Sequence, residues 1–467
     1  MLFSSLSFLY FFLPVVLSIY FLAPRKLKNA VLLASSLCFY FYGETVYGLL
    51  LIFSALAGYW HGLWINAAKR SGDARIPLLS SLVVGIGLLL FFKYADFFII
   101  NINRMARTEI TPLKLPLPLG ISFYTFQILS YTIDVYRGKA GVQRNFLDFT
   151  AYVALFPQLI AGPIVRYATV EAELTDRRHS LTDTAEGISR FVTGLTKKVV
   201  FANSLGGLGT VFAGTDMKTV LFYWLAAIAF MLQIYYDFSG YSDMAVGLGR
   251  IFGFHFPENF NYPFVAQSIS EFWRRWHISL GTWFRDYVYI PLGGSRAGRA
   301  TWIRNVLVVW FLTGFWHGAA WNFIAWGLYF AFFLLLEKLW LGEKLDKAPA
   351  VIRHLYTFFF LTISFVIFNA DGMNGSLENL QGMFGLLDVP VSNAVTLYYL
   401  KSYTFVLLLA ALGTTPLAAA LLRRLRNYRR GRQIADVLEP VALVSLLLLV
   451  TGYLVDGSFN PFLYFRF

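Results

Sequence analysis

One cysteine, Cys38, is all that the 467 residues contain. No internal disulfide can form and no cysteine-cluster metal site can be built; Cys38 lies in an apolar run and reads as a packing residue. Charge is also scarce, at 14% of residues, where soluble domains carry about 25%. A surface so poor in charge must be hidden in lipid. Acidic residues number 26 against 39 basic ones, for a net charge of +13. The basic residues are scattered among loops, which fits positive-inside bias and attraction to anionic lipid, and argues against a nucleic-acid partner. A Walker phosphate loop, a G-x-S-x-G elbow and an H-E-x-x-H pair are all missing, so a serine or cysteine acyl-enzyme is not signalled, although a histidine could carry an acyl group. No repeat, low-complexity tract or long polar linker is visible. The opening residues 1–5 (MLFSS) lack the basic stretch of a cleavable signal; Arg25, Lys26 and Lys28 follow the first apolar run instead.

Apolar length is what the chain has in abundance: 57% hydrophobic residues and a mean hydropathy of +0.59. Uncharged runs near the roughly 20 residues needed to span a bilayer recur at 1–24, 45–68, 76–92, 115–133, 219–236, 402–422 and 440–455, with shorter ones at 29–43, 149–165 and 355–370. They predict an all-α polytopic membrane protein with roughly 10–12 transmembrane helices, some short or broken. Hydrophobic runs occur throughout, so 1–467 reads as a single integral membrane domain. Basic loops stay cytoplasmic. Arg25–Lys28, Lys69–Arg75 and the arginines between 423 and 432 are therefore expected inside, with both termini outside.

Two places predict helix interruptions: Pro116 and Pro118 before Gly120, and Pro157 with Gly162 and Pro163. Segment 237–294 interleaves charged and aromatic residues and predicts interfacial or re-entrant helices. Segment 305–336 is a run of 32 residues without Asp, Glu, Lys or Arg, and His317 lies near its middle. A charged group at such depth costs about 2.5–3.5 kcal/mol and is usually functional. Desolvation favours the neutral imidazole, which can serve as a general base. As one helix this run would be about 48 Å long, more than a bilayer core. It must bend or break, and the natural place is His317 between Gly314 and Gly318, whose spacing also suits close helix approach.

Within 270–287, a helical reading puts Trp273, His277, Leu280 and Phe284 on one face, with Glu271 and Arg275 as an i, i+4 pair. His277 is then a second site candidate, or else a hydrogen-bonded interfacial histidine. Arg274, Arg275 and Arg285 are candidates for holding the phosphates of a bound ligand, or for facing lipid phosphates. Trp316, Trp321 and Asn322 are candidate oxyanion donors beside His277. Tyr236, Asp237 and Asp243 suggest a supporting role, orienting a histidine or holding an arginine; as a metal site they are weak, because nothing nearby completes a ligand set. His61, His179, His255 and His354 read as ordinary.

These motifs, namely 1–5, 118–124 (PLGISFY), 156–163 (FPQLIAGP), 236–245 (YDFSGYSDMA), the arginine-rich 271–294 block, 316–318 (WHG) and 460–467 (NPFLYFRF), resemble the membrane-bound O-acyltransferase (MBOAT) family in its bacterial polysaccharide O-acetyltransferase branch. The resemblance runs nearly end to end. It implies a many-helix bundle with a central tunnel, His317 near its middle and His277 as the second characteristic polar position. It further implies no bound cofactor, a cytoplasmic thioester co-substrate of the acetyl-CoA type, and location in a bacterial inner membrane. Expected partners are a periplasmic or membrane-tethered SGNH-type acetyltransferase and the polysaccharide synthesis and export machinery. Alternatives left open are D-alanyl or other acyl transfer, and a transporter without acyl-transfer chemistry.

Overall fold

A computed structural model describes residues 1–296, 298–457 and 462–463; of the closing 460–467 motif, only Phe462 and Leu463 fall among them. The architecture is all-helical, with no strand among the described residues. Among the described residues, seven helices are long and apolar enough to cross a membrane: Tyr47–Ser71, Arg75–Ala106, Val220–Ile251, Trp321–Lys347, Ala350–Asn369, Ala394–Gly413 and Arg429–Asp456. That is fewer than the ten to twelve spans expected, because several apolar runs fold into shorter helices. The run at 115–133 contributes Ile121–Arg137, and the run at 149–165 contributes Phe146–Ala154 and Phe156–Leu159.

The chain forms two compact units, Met1–Phe191 with Tyr241–Pro257, and Val192–Gly240 with Glu258–Phe467. In the first unit, helix Ile121–Arg137 is almost wholly buried. Small residues admit it: a Cβ on Gly58 would lie 2.6 Å from the Ile128 side chain, and one on Gly62 2.5 Å from the Tyr131 hydroxyl. The two expected interruptions meet here. Gly120 has φ +72°, and a Cβ on it would stand 2.5 Å from the Leu159 carbonyl oxygen, so only glycine lets the breaks touch.

In the second unit the expected re-entrant segment needs a correction. Its first part, from Asp237, lies inside the helix Val220–Ile251. The charge does not end that helix because it is compensated: the Lys198 ammonium lies 2.5 Å from Asp237 Oδ1, and the Leu463 N–H donates to Oδ2 at 2.8 Å. Gly240 makes the pairing possible, since a Cβ there would sit 2.7 Å from the Gly194 carbonyl oxygen and 3.1 Å from the Lys198 nitrogen. Only the stretch after Ile251 is built from short pieces, including helices Ile269–Arg275 and Ile278–Phe284.

Candidate active site

Helix Arg299–His317 stops at its histidine. Gly318 is extended (φ −169°, ψ 155°), and a new helix, Trp321–Leu336, begins after Ala320. The 32-residue run therefore breaks where its length and glycines predict. The two helices return against each other with backbones in contact: a Cβ on Gly314 would overlap the Phe323 carbonyl oxygen, and one on Gly327 that of Trp310. Gly314 serves close approach, as its spacing suggested, whereas Gly318 makes room for the Phe323 ring.

His317 is 5% exposed. Its Nδ1 lies 2.6 Å from the Thr313 carbonyl oxygen. A carbonyl can only accept, so Nδ1 carries the proton and Nε2 of the neutral ring holds a lone pair. The ring meets Trp326 edge-on at 4.9 Å between centroids, Trp316 at 5.0 Å and Phe368 at 5.6 Å. Trp316 bridges toward His277, whose ring centroid is 6.2 Å away. The structure thus gathers the two histidines expected from sequence into one apolar cluster.

His277 arrives by another route than the one expected. The predicted continuous helix is broken at this residue, which adopts the left-handed conformation (φ 45°, ψ 51°) and caps helix Ile278–Phe284. The helical-face argument for it is therefore incorrect, although the residue is 1% exposed. The geometry is held by Asn259. Its Oδ1 accepts the Ser279 backbone N–H at 3.2 Å and the Ser279 hydroxyl at 2.9 Å, while its carbonyl accepts the Ile278 N–H at 3.0 Å. Since Oδ1 faces a backbone donor, His277 Nδ1, at 3.1 Å from it, must donate too. His277 Nε2 is left buried with no hydrogen-bond partner among the described residues. Burial, and then the proximity of His317, hold the His277 imidazole well below the ordinary histidine range. The Phe238 ring stands perpendicular to it at 4.6 Å.

The remaining candidates divide. Tyr236 donates its hydroxyl to the Ala410 carbonyl and stacks on Phe201, so it secures packing. Asp237 holds a lysine, Lys198, among the described residues. Asp243 does hold an arginine, Arg190, at 2.9 Å, but within the first unit. Asn322 spends its amide N–H groups on the carbonyls of Ile367 and Ala370, at 3.2 and 3.0 Å, and cannot also donate to an oxyanion. Trp321 is 51% exposed, unlike the buried Trp316. The three arginines do not form one clamp. Arg275 pairs with Glu271 at 2.8 Å, as the i, i+4 spacing predicted, and Arg285 pairs with its neighbour Asp286. Arg274 instead lines a polar cleft of about 320 Å³ with Glu271, Glu337, Lys338, Asp346 and Arg353. Helix Ile269–Arg275 is fixed over this cleft at both ends of the same turn. Ser268 accepts the Glu271 N–H, and buried Glu337 accepts the N–H groups of Ile269 and Ser270 at 2.7 and 2.9 Å.

Sequence reasoning missed three contributors. Asn259 lies 18 residues before the histidine it orients. Trp326, whose indole N–H is buried with no acceptor among the described residues, flanks His317. Glu337 reads as the bracket of an apolar run and turns out to cap a distant helix.

An all-helical, multi-pass membrane protein with two adjacent buried imidazoles, each protonated on Nδ1, defines a site suited to proton transfer in a dry interior. Residues 137–343 match the family "MBOAT, membrane-bound O-acyltransferase". The chain is 38% identical to the probable alginate O-acetylase AlgI of Azotobacter vinelandii, covering 100% of both chains. It is 34% identical to the peptidoglycan O-acetyltransferase of Helicobacter pylori over 86% of this chain and 82% of that one. A teichoic acid D-alanyltransferase of Bacillus subtilis is 29% identical over 54% of this chain and 68% of its own. The chain belongs to the membrane-bound O-acyltransferase family. It is an acyltransferase, acting on an acyl donor as co-substrate.

Proposed function

We propose that this protein, acting as one catalytic domain over 1–467, transfers acetyl groups from cytoplasmic acetyl-CoA for O-acetylation of an exported or cell-wall polysaccharide. It does so in a bacterial inner membrane, with both termini periplasmic, and passes the acetyl group to an SGNH-type acetyltransferase outside. The names of the full-length relatives support the acetyl group and the polymer class.

The observation that carries the reading is the shared Nδ1 anchoring of His317 and His277, which supports an Nε2 base in a water-poor site. His317 Nε2 accepts the proton of an acceptor hydroxyl as its oxygen attacks the thioester carbonyl. The tetrahedral oxyanion is stabilised by indole N–H donors, of which Trp326 and Trp316 are the candidates. The carbon–sulfur bond then breaks and the imidazolium returns its proton to the departing thiolate. Atoms and charge balance: alcohol and thioester become ester and thiol. Arg274, with Lys338 and Arg353 in the polar cleft, supplies cations for donor phosphates.

Isolated membranes supplied with acetyl-labelled acetyl-CoA test this directly. The expected result is label in a polymer or a partner protein, lost in His317→Ala protein that accumulates normally. Label independent of His317 removes the mechanism. Label absent with acetyl-CoA but obtained from a D-alanyl carrier thioester replaces the donor.

A further inference from the structure

Away from the histidines, the first unit gathers cations without assembling acids against them. Tyr20, fully buried, is the centre. Its hydroxyl donates to the Phe252 carbonyl at 2.7 Å, so His179 Nε2, 3.0 Å from the same oxygen, must be a donor. Lys28 Nζ lies 4.2 Å over the Tyr20 ring and donates to the Tyr20 carbonyl at 2.8 Å. Arg177 lies 4.5 Å over Phe254 and 5.9 Å from the Tyr20 ring. Gly253, at φ +83°, turns the chain so that a Cβ on it would be 3.3 Å from His179 Nε2, which presses this turn against the 177–179 loop.

Two features call for a ligand. Lys28 is only 9% exposed, yet one protein acceptor meets its three N–H bonds. Arg177 Nε and Nη1 are buried with no hydrogen-bond partner among the described residues. Aromatic faces attract these cations but satisfy none of their N–H donors. Glu173 pairs with His255 at 2.7 Å and Asp148 accepts from Asn29 at 2.6 Å, and among the described residues no carboxylate forms an ion pair with Lys28, Arg177 or His179. Lys28 is buried, Arg177 half-buried and His179 exposed beside them, and buried charge of one sign with idle donors is costly unless it is paired.

We propose that Lys28, Arg177 and His179 form a phosphate-binding site, with exposed Arg25 at its rim. A phosphate group offers several acceptor oxygens and one to two negative charges, which matches a guanidinium fork and an ammonium side by side better than a single carboxylate does. The same chemistry is presented by the headgroup of an anionic phospholipid and by a soluble phosphate. Each cation lowers the proton affinity of its neighbours here; burial first, then Lys28 and Arg177, depress His179. Phosphate occupancy reverses that sign.

The test uses the full-length protein in neutral detergent, with binding read by native mass spectrometry and by the thermal unfolding midpoint. Probes are phosphatidylglycerol, phosphatidylcholine and inorganic pyrophosphate. Wild-type protein is expected to retain phosphatidylglycerol or pyrophosphate at least tenfold more tightly than phosphatidylcholine. Arg177→Gln should abolish that preference and Arg177→Lys should keep part of it. Arg25→Glu, on the exposed rim, tests the same site without touching the buried packing and should weaken binding severalfold. Preference for phosphatidylglycerol alone identifies a lipid headgroup; equal response to pyrophosphate identifies a soluble phosphate. Equal binding of all three probes, or binding unchanged in both Arg177→Gln and Arg25→Glu, overturns the proposal.

Discussion

His317 and His277 reach the same hydrogen-bonding state from opposite backbone situations. His317 closes a long regular helix, and its partner is a carbonyl one turn back in the same helix. His277 sits at a left-handed junction between two short helices, and its partner is a side chain from another loop. The first arrangement is local and follows from helix geometry alone. The second is assembled from distant parts, so it is more open to disruption by changes outside the histidine itself.

The sharpest way to break the comparison is to remove each ring in turn. His317→Ala should lower acyl transfer by about 10²–10⁴-fold, the range for a lost general base, with unchanged accumulation in membranes, measured by label transfer and immunodetection. If the two rings were equivalent, His277 substitutions would behave alike; instead the replacement should matter. His277→Asn suits the left-handed backbone and should fold while losing roughly 10–100-fold in activity, whereas His277→Val should fail to accumulate. Asn259→Ala leaves His277 and Ser279 donors without their acceptor, at about 1–3 kcal/mol for each orphaned buried group. Detergent unfolding should detect it, and no comparable substitution exists for His317.

A pH profile sharpens the contrast further. Burial holds His277 neutral below the ordinary histidine range, so lowering the pH should leave it uncharged past pH ~6.5. Any acid limb due to His277 should then fall below that value. Asn259→Asp places a carboxylate beside the ring, favours its cation and should move that limb upward. A packing effect, read on stability first, is expected at Gly327→Ala, where the added methyl would overlap the Trp310 carbonyl oxygen and force the two touching helix backbones apart. Overpacking of about 1–3 kcal/mol should lower the unfolding temperature while leaving residual activity.

Much of the frame was legible because it rests on signals that act over a few residues. The break after His317 follows from run length and flanking glycines, the interruptions near Gly120 and Gly162 from proline chemistry, and the Glu271–Arg275 pair from helical spacing. What stayed hidden depends on contacts far apart in the chain. Nothing in residues 273–280 announces a left-handed histidine, since no glycine or proline marks the junction. Lys198 precedes Asp237 by 39 residues, and only the folded chain reveals that the aspartate meets a lysine. Trp326 looks like any other ring in an apolar helix until the break at Gly318 turns it back onto His317.

Glu337 carries a longer reach than its single carboxylate suggests. It stands just past helix Trp321–Leu336, which starts four residues beyond His317, and it grips the first turn of the helix leading to His277. The two rings therefore ride on one closed frame, latched about 24 Å of helix away from the chemistry. Loosening that latch, for instance with Glu337→Gln, should alter the spacing of two intact imidazoles without removing either.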